Sequence, residues 1–218
     1  MTERVAAAEP APTVDAIRRR IAAPRTPQDP RARIVANIAG EVTPELRAVL
    51  ERPGRAASVL LALLERPRGL TVLFTERAAH LKDHAGQISF PGGRIAHAGE
   101  TAVDAALREA HEEIGLAPGA VDVLGPLDEL LTGTGFSITP VVGHVAGGSF
   151  VARPDPDEVA SVFEVPLDFI LEPANIITTY RERLGTRFRT YELHHRDYRI
   201  WGATASILVS FRDLITHG

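Results

Sequence analysis

Cysteine is absent from the chain, which excludes disulfides and any thiolate metal or redox centre. A basic excess is also lacking. The formal net charge is -4, whereas general nucleic-acid binders carry clustered Lys and Arg. No stretch reaches the roughly 18 apolar residues of a membrane span, and the first 33 residues have no apolar core like that of a signal peptide. These absences lead us to expect a soluble cytoplasmic protein that binds neither membrane nor nucleic acid.

What is present suits one domain with extra chain at its start. Hydrophobic residues make up 44% of the 218, enough for a sizeable core. Residues 1–33, rich in Ala, Pro and Arg, read as a flexible N-terminal arm, because prolines flank the one helical stretch, VDAIRRRIAA. Residues 34–55 read as a helical lead-in; Thr43 caps TPELRAVL and Pro44 fits its first position. From about residue 56 to 218 the pattern is that of a single α/β or α+β domain with a mixed sheet. SVLLALLERPRGLTVLFTER predicts a hairpin turning at Arg66–Gly69. GQISF predicts a short strand, RFRTYELHHRDYRIWG a hairpin turning near Arg196–Asp197, and GATASILVSFRDLITHG a closing amphipathic helix.

The chemistry concentrates in FPGGRIAHAGETAVDAALREAHEEIGL, residues 90–116. At about 100° per residue, a helix over 101–114 puts Val103, Ala106, Leu107, Ala110 and Ile114 on one side. Glu109, Glu112 and Glu113 fall on an adjacent arc. Like charges at i,i+3 and i,i+4 cost a helix about 0.2–0.5 kcal/mol per pair, and acids near its C-terminus oppose the dipole. A hard divalent cation offsets both penalties. Gly92 and Gly93 permit close backbone approach beside that stripe, and Gly115 ends the helix. The plain alternative is a solvated acidic face.

This stretch resembles the Nudix box, G-x5-E-x7-R-E-U-x-E-E-x-G-U. Gly93 leads it, Glu100 is the first glutamate, and Arg108-Glu109-Ala110-His111-Glu112-Glu113-Ile114-Gly115-Leu116 completes it. Six residues rather than five separate Gly93 from Glu100, and Ala110 is a small aliphatic residue. The upstream LFTERAAHLKDHAGQISFPGG is similar to the segment marking the coenzyme A pyrophosphatase branch, through Thr75, Arg77, Gly86, Phe90, Pro91, Gly92 and Gly93. Lys82 stands where that branch often has arginine, so a planar two-pronged donor is missing there. RIWGATASIL also looks like that branch's final strand and helix.

The resemblance implies a Nudix fold, a mixed β-sheet sandwiched between α-helices. It further implies metal-dependent hydrolysis of coenzyme A or acyl-CoA to 3′,5′-ADP and (acyl-)4′-phosphopantetheine. In that scheme Glu109, Glu112, Glu113 and the Gly93 carbonyl hold Mg²⁺ or Mn²⁺, and Arg108 and Glu100 brace the site. Arg77, Lys82, Arg94 and Gly92 are the candidate substrate contacts. Glu158, then Glu164, are candidate distal acids, each weighed against an ordinary surface charge. The box handles only a pyrophosphate, so ADP-ribose and NADH remain alternative substrates, and a noncatalytic nucleotide-binding module is the alternative of another class. A homodimer is compatible with the sequence.

Overall fold

The computed structural model of the chain describes residues 12–81 and 86–217. Lys82 and His84 lie outside them, as do the first eleven residues of the expected arm. Three short helices open the described chain: α1 (Val14–Ala22), α2 (Pro30–Ala36) and α3 (Pro44–Leu50). Each begins at a residue whose side-chain oxygen accepts a backbone N–H of the first turn, Thr13, Asp29 and Thr43 respectively, which is the usual origin of a helix N-terminus.

The sheet is built on β1 (Arg55–Arg66) and β2 (Gly69–Arg77), the expected hairpin, with Arg66 opposite Gly69. β3 (Ile88–Ser89) and β4 (Gly92–Arg94) follow, then helix α4 (Ala102–Ile114). Next come β5 (Asp122–Pro126), β6 (Leu130–Leu131), β7 (Phe136–Val145), β8 (Val159–Pro166) and the short α5 (Leu167–Leu171). Among the described residues, β1 to β8 form one eight-stranded mixed sheet with the central order β3-β2-β1-β7-β5. β1 runs parallel to β7 over ten residue pairs, from Arg55↔Phe136 to Leu64↔Val145. The remaining chain forms a separate three-stranded antiparallel sheet, β9 (Ile177–Arg183), β10 (Thr186–His195) and β11 (Tyr198–Trp201), and then α6 (Gly202–His217).

β1 is apolar without alternation because both of its faces are covered. Leu60, Ala62 and Leu64 pack with Ala106, Ala110 and Ile114 of α4 and with Val141 of β7. Leu61 and Leu63 face the larger cluster, with Ile17 and Ile21 of α1 and Leu208 and Phe211 of α6. The sheet is therefore sandwiched between α4 and the α1–α6 pair.

α1 packs against the core. Its Ile17 is completely buried and Ile21 nearly so, and Arg18 pairs with Asp122 at the start of β5. Two apolar residues four apart supply one buried stripe, and the prolines on either side only bound the helix. Ile17→Ala is expected to cost about 2–5 kcal/mol of stability, read from denaturant unfolding; a loss no larger than that of a surface substitution would place α1 outside the core.

Candidate active site

Helix α4 begins with a reciprocal cap. The Thr101 hydroxyl receives the Asp104 N–H and the Asp104 carboxylate receives the Thr101 N–H. It ends at Gly115, whose φ of 70° is the left-handed conformation glycine adopts without strain. These two stops fix the helix register, and with it the acidic arc. The apolar side of α4 is seated on β1 and β7, which turns the glutamates toward β4.

β4 is pressed against β1, with Gly92 opposite Val59 and Gly93 opposite Ser58. A Cβ at Gly92 would stand 2.4 Å from the Ser58 carbonyl oxygen and 2.6 Å from Val59 Cα. A Cβ at Gly93 would stand 2.4–2.6 Å from the carboxylate atoms of Glu109. The two glycines thus do different things. Gly92 lets the strands meet, and Gly93 lets a carboxylate rest on the backbone. We expect Gly92→Ala to destabilise by about 1–3 kcal/mol, since backbone cannot yield. Gly93→Ala should leave the melting temperature close to wild type and cut turnover by about tenfold to a hundredfold, since the Glu109 side chain can swing but then loses its place. Equal stability losses in the two variants would remove this distinction.

Glu113 is only 3% exposed, and its Oε2 receives the Gly92 N–H at 3.3 Å. Burial pushes its pKa up to about 8, and the nearby charges of Glu109 and Glu158 add to the rise while Arg77 opposes it. Glu109 is raised too, first by burial, against the lowering effect of Arg108, with Glu112 and Glu158 contributing. These carboxylates repel one another in a poorly solvated place.

Arg108 organises the outer half of the site. Its Nε donates to Glu100 at 2.7 Å, and its Nη1 donates to Glu109 at 2.7 Å and to Glu112 at 2.9 Å. Its Nη2 donates to the Arg94 carbonyl at 3.0 Å. The Arg108 guanidinium and then the Ala96 N–H hold the Glu100 carboxyl below its usual range. The extra residue between Gly93 and Glu100 is absorbed in that loop: Ala96 N–H reaches Glu100 Oε2 at 2.5 Å and Glu100 still meets Arg108.

The segment before β8 closes the other side. Asp155 N–H donates to the Glu113 carbonyl, and Ala78 N–H donates to the Glu158 carbonyl, both at 2.9 Å. The His80 ring is 3.0 Å from the Asp157 carbonyl. These bonds carry the Glu158 carboxylate toward Glu109 and Glu113. Arg77 lies near enough to Glu113 for its charge to lower that carboxyl. Arg94 contributes its carbonyl, while its guanidinium lies 5.6 Å from the centroid of Phe136. Glu164 does not join the site. It pairs with Arg66 at 2.6 Å and accepts from Thr71 at 2.5 Å; burial would raise its carboxyl, but Arg66 and Thr71 outweigh that and hold it low. The Gly133–Gly135 stretch is a turn between β6 and β7, closed by Thr132 N–H to the Phe136 carbonyl at 2.7 Å. A cavity of about 760 Å³ lies elsewhere, lined by Arg66, Phe150, Val151, Glu164 and Tyr198 among others, and none of the box carboxylates reaches it.

Among the described residues no three acidic or histidine side chains enclose a cation as they stand; Arg108 draws Glu109 and Glu112 to itself. The donor set nevertheless fits a hard divalent ion. It offers only oxygen ligands, two of its carboxylates are raised by burial, and the glycine backbone leaves room at Glu109. What sequence reading missed here is mostly main chain: the Asp155, Ala78 and Ala96 amides carry no side-chain signal.

A family model described as "NUDIX domain" matches residues 53–182. Proteins from Salmonella paratyphi B and Salmonella newport, both called "Uncharacterized Nudix hydrolase NudL", are 41% identical over 137 residues, covering 63% of this chain and 71% of theirs. The crystal structure of a Nudix hydrolase from M. smegmatis, RenU, is 27% identical with a TM-score of 0.45, covering 53% of this chain and 72% of that one.

Proposed function

The chain belongs to the NUDIX domain family and is a Nudix hydrolase, and from that premise we propose that it hydrolyses the pyrophosphate bond of coenzyme A or acyl-CoA in the cytoplasm, using Mg²⁺ or Mn²⁺. The observation that carries the chemistry is the convergence of Glu109 and Glu113 on the Gly92–Gly93 backbone, with the charge of Glu158 close to both. Coenzyme A as substrate rests on the Thr75–Gly93 segment, where Arg77 lies close to Glu113.

Glu109, Glu112, Glu113 and the Gly93 carbonyl are the residues to hold the cation. A bound divalent ion neutralises the pyrophosphate and lowers the pKa of a water. Arg108, tied to Glu100, is a positioning residue: it gives up Glu109 and Glu112 when a stronger cation competes for them. Arg77, Lys82 and Arg94 supply positive charge for the pyrophosphate oxygens. Glu158 is the candidate for a further ligand or base, its charge being close to Glu109 and Glu113.

The test is product identification after incubation with coenzyme A, with and without Mg²⁺ or Mn²⁺, beside ADP-ribose and NADH. Appearance of 3′,5′-ADP and 4′-phosphopantetheine only with metal is the expected result. A wide preference for ADP-ribose or NADH would overturn the substrate, and binding without turnover of any of them would favour the noncatalytic module.

A further inference from the structure

The three-stranded sheet has two unlike faces. Leu193 and Ile200 are completely buried in the main core. The opposite face carries Arg181 and Arg183 of β9, Glu192 and His194 of β10, and Arg199 and Trp201 of β11. The register requires this, since Glu192 stands opposite Trp201 and His194 opposite Arg199, and cross-strand partners share a face. Arg183 joins Arg181 because alternate residues of a strand do the same.

Glu192 is the fastener of this face. Arg199 grips it with two bonds, Nε to Oε2 at 2.8 Å and Nη2 to Oε1 at 2.6 Å, and Arg181 Nη2 reaches Oε1 at 3.3 Å. The Arg181 guanidinium also lies 4.4 Å from the Trp201 ring centroid, and that of Arg199 5.7 Å from it. The carboxylate is nearly covered, whereas the Arg181 and Arg199 side chains stay 44% and 50% exposed. Exposed ion pairs contribute little to stability. Arginines locked in place, however, lose little further freedom when they bind something. Three guanidiniums against one carboxylate leave the face positive in a chain whose net charge is -4.

A strip of contacts joins this face to the catalytic helix. A Cβ at Gly133 would stand 3.0 Å from Arg183 Nη1, so Arg183 lies against the β6–β7 turn. That turn leads into Phe136, whose ring has the Arg55 guanidinium at 4.1 Å and that of Arg94 at 5.6 Å. The Arg94 carbonyl in turn receives Arg108. Guanidinium groups recur along the whole strip, and their planar forks match phosphate oxygens.

We propose that the Arg181–Arg183–Arg199 face receives a second phosphate of the substrate, the ribose 3′-phosphomonoester that is not cleaved. This rests on the coenzyme A reading above, because ADP-ribose carries no such group. The test compares kcat/KM for coenzyme A and 3′-dephospho-coenzyme A in the wild type, Arg183→Gln and Arg181→Gln. It adds calorimetric binding of adenosine 3′,5′-bisphosphate and of AMP.

The wild type is expected to favour coenzyme A by about tenfold or more, and that ratio should collapse toward unity in both variants. Arg183 is exposed, so its variant does not depend on the Glu192 cluster for folding. An unchanged ratio in both variants, with only the melting temperature lowered in Arg181→Gln, assigns the cluster a structural role and overturns the proposal. If the wild type hydrolyses ADP-ribose and not coenzyme A, the substrate reading fails by itself. The phosphate site then stands only if the bisphosphate binds about tenfold tighter than AMP and loses that advantage in the variants; equal affinities sink it.

Discussion

Replacing Glu109 by glutamine is expected to lower kcat by about 10²–10³-fold, the usual scale for removing one charged contact to a transition state. The substitution keeps the shape of the side chain, its seat on Gly93 and an oxygen for Arg108, and removes only the charge. Glu109 is already raised by burial, so neutralising it should not unfold the protein, and the melting temperature should hold or rise. Glu164→Gln is the control. That carboxylate lies outside the site and is held by Arg66 and Thr71, so its loss should cost stability and spare turnover. If Glu109→Gln turned over like the wild type while folded, the acidic arc would be a solvated face and nothing more.

The second large effect is on stability against pH in the metal-free protein. Burial pushes the Glu113 carboxyl in the folded state up to about 8, against 4.5 for a free glutamate. Between those two values the folded form binds the extra proton, so stability is greatest below about pH 4.5 as far as this group is concerned. It then falls as pH rises toward 8. The loss is on the order of a few kcal/mol, or about 5–10 °C for a chain of this size. Glu113→Gln should flatten that slope and melt higher than the wild type at pH 8 in the presence of a chelator. Adding Mg²⁺ at pH 8 should recover the wild type and not the variant, because an ion that binds only the folded state stabilises it. Parallel pH profiles for the two proteins would show that the Glu113 carboxylate is solvated after all.

Much of the site could be read from residue spacing because α4 is governed locally. Thr101 and Gly115 stop the helix, and 3.6-residue periodicity then sorts Ala106, Ala110 and Ile114 from Glu109, Glu112 and Glu113 without knowledge of the rest of the chain. The β1–β2 hairpin was legible for the same reason, since its turn lies within four residues. What a linear pattern does not carry is partner choice. Nothing in SVLLALL says that β1 will lie parallel to β7, because a strand buried on both faces shows no alternation to orient it. Glu158 and Glu164 look alike in sequence, one just before β8 and one within it. They part only in space, where Glu164 finds Arg66 across the sheet and Glu158 is drawn in by the Ala78 bond to its backbone. Ile17 and Ile21 were hidden among prolines that bound a helix as readily as they loosen a chain.

The parallel pairing of β1 with β7 has a consequence for how the protein is made. Arg55 meets Phe136 and Leu64 meets Val145, so the central ladder closes a loop of about eighty residues, and such distant pairings form slowly. The acidic helix α4 lies inside that loop. During synthesis the acidic segment must therefore emerge with only the β1 part of its sheet surface built, and wait for β7 until residue 145 has cleared the ribosome.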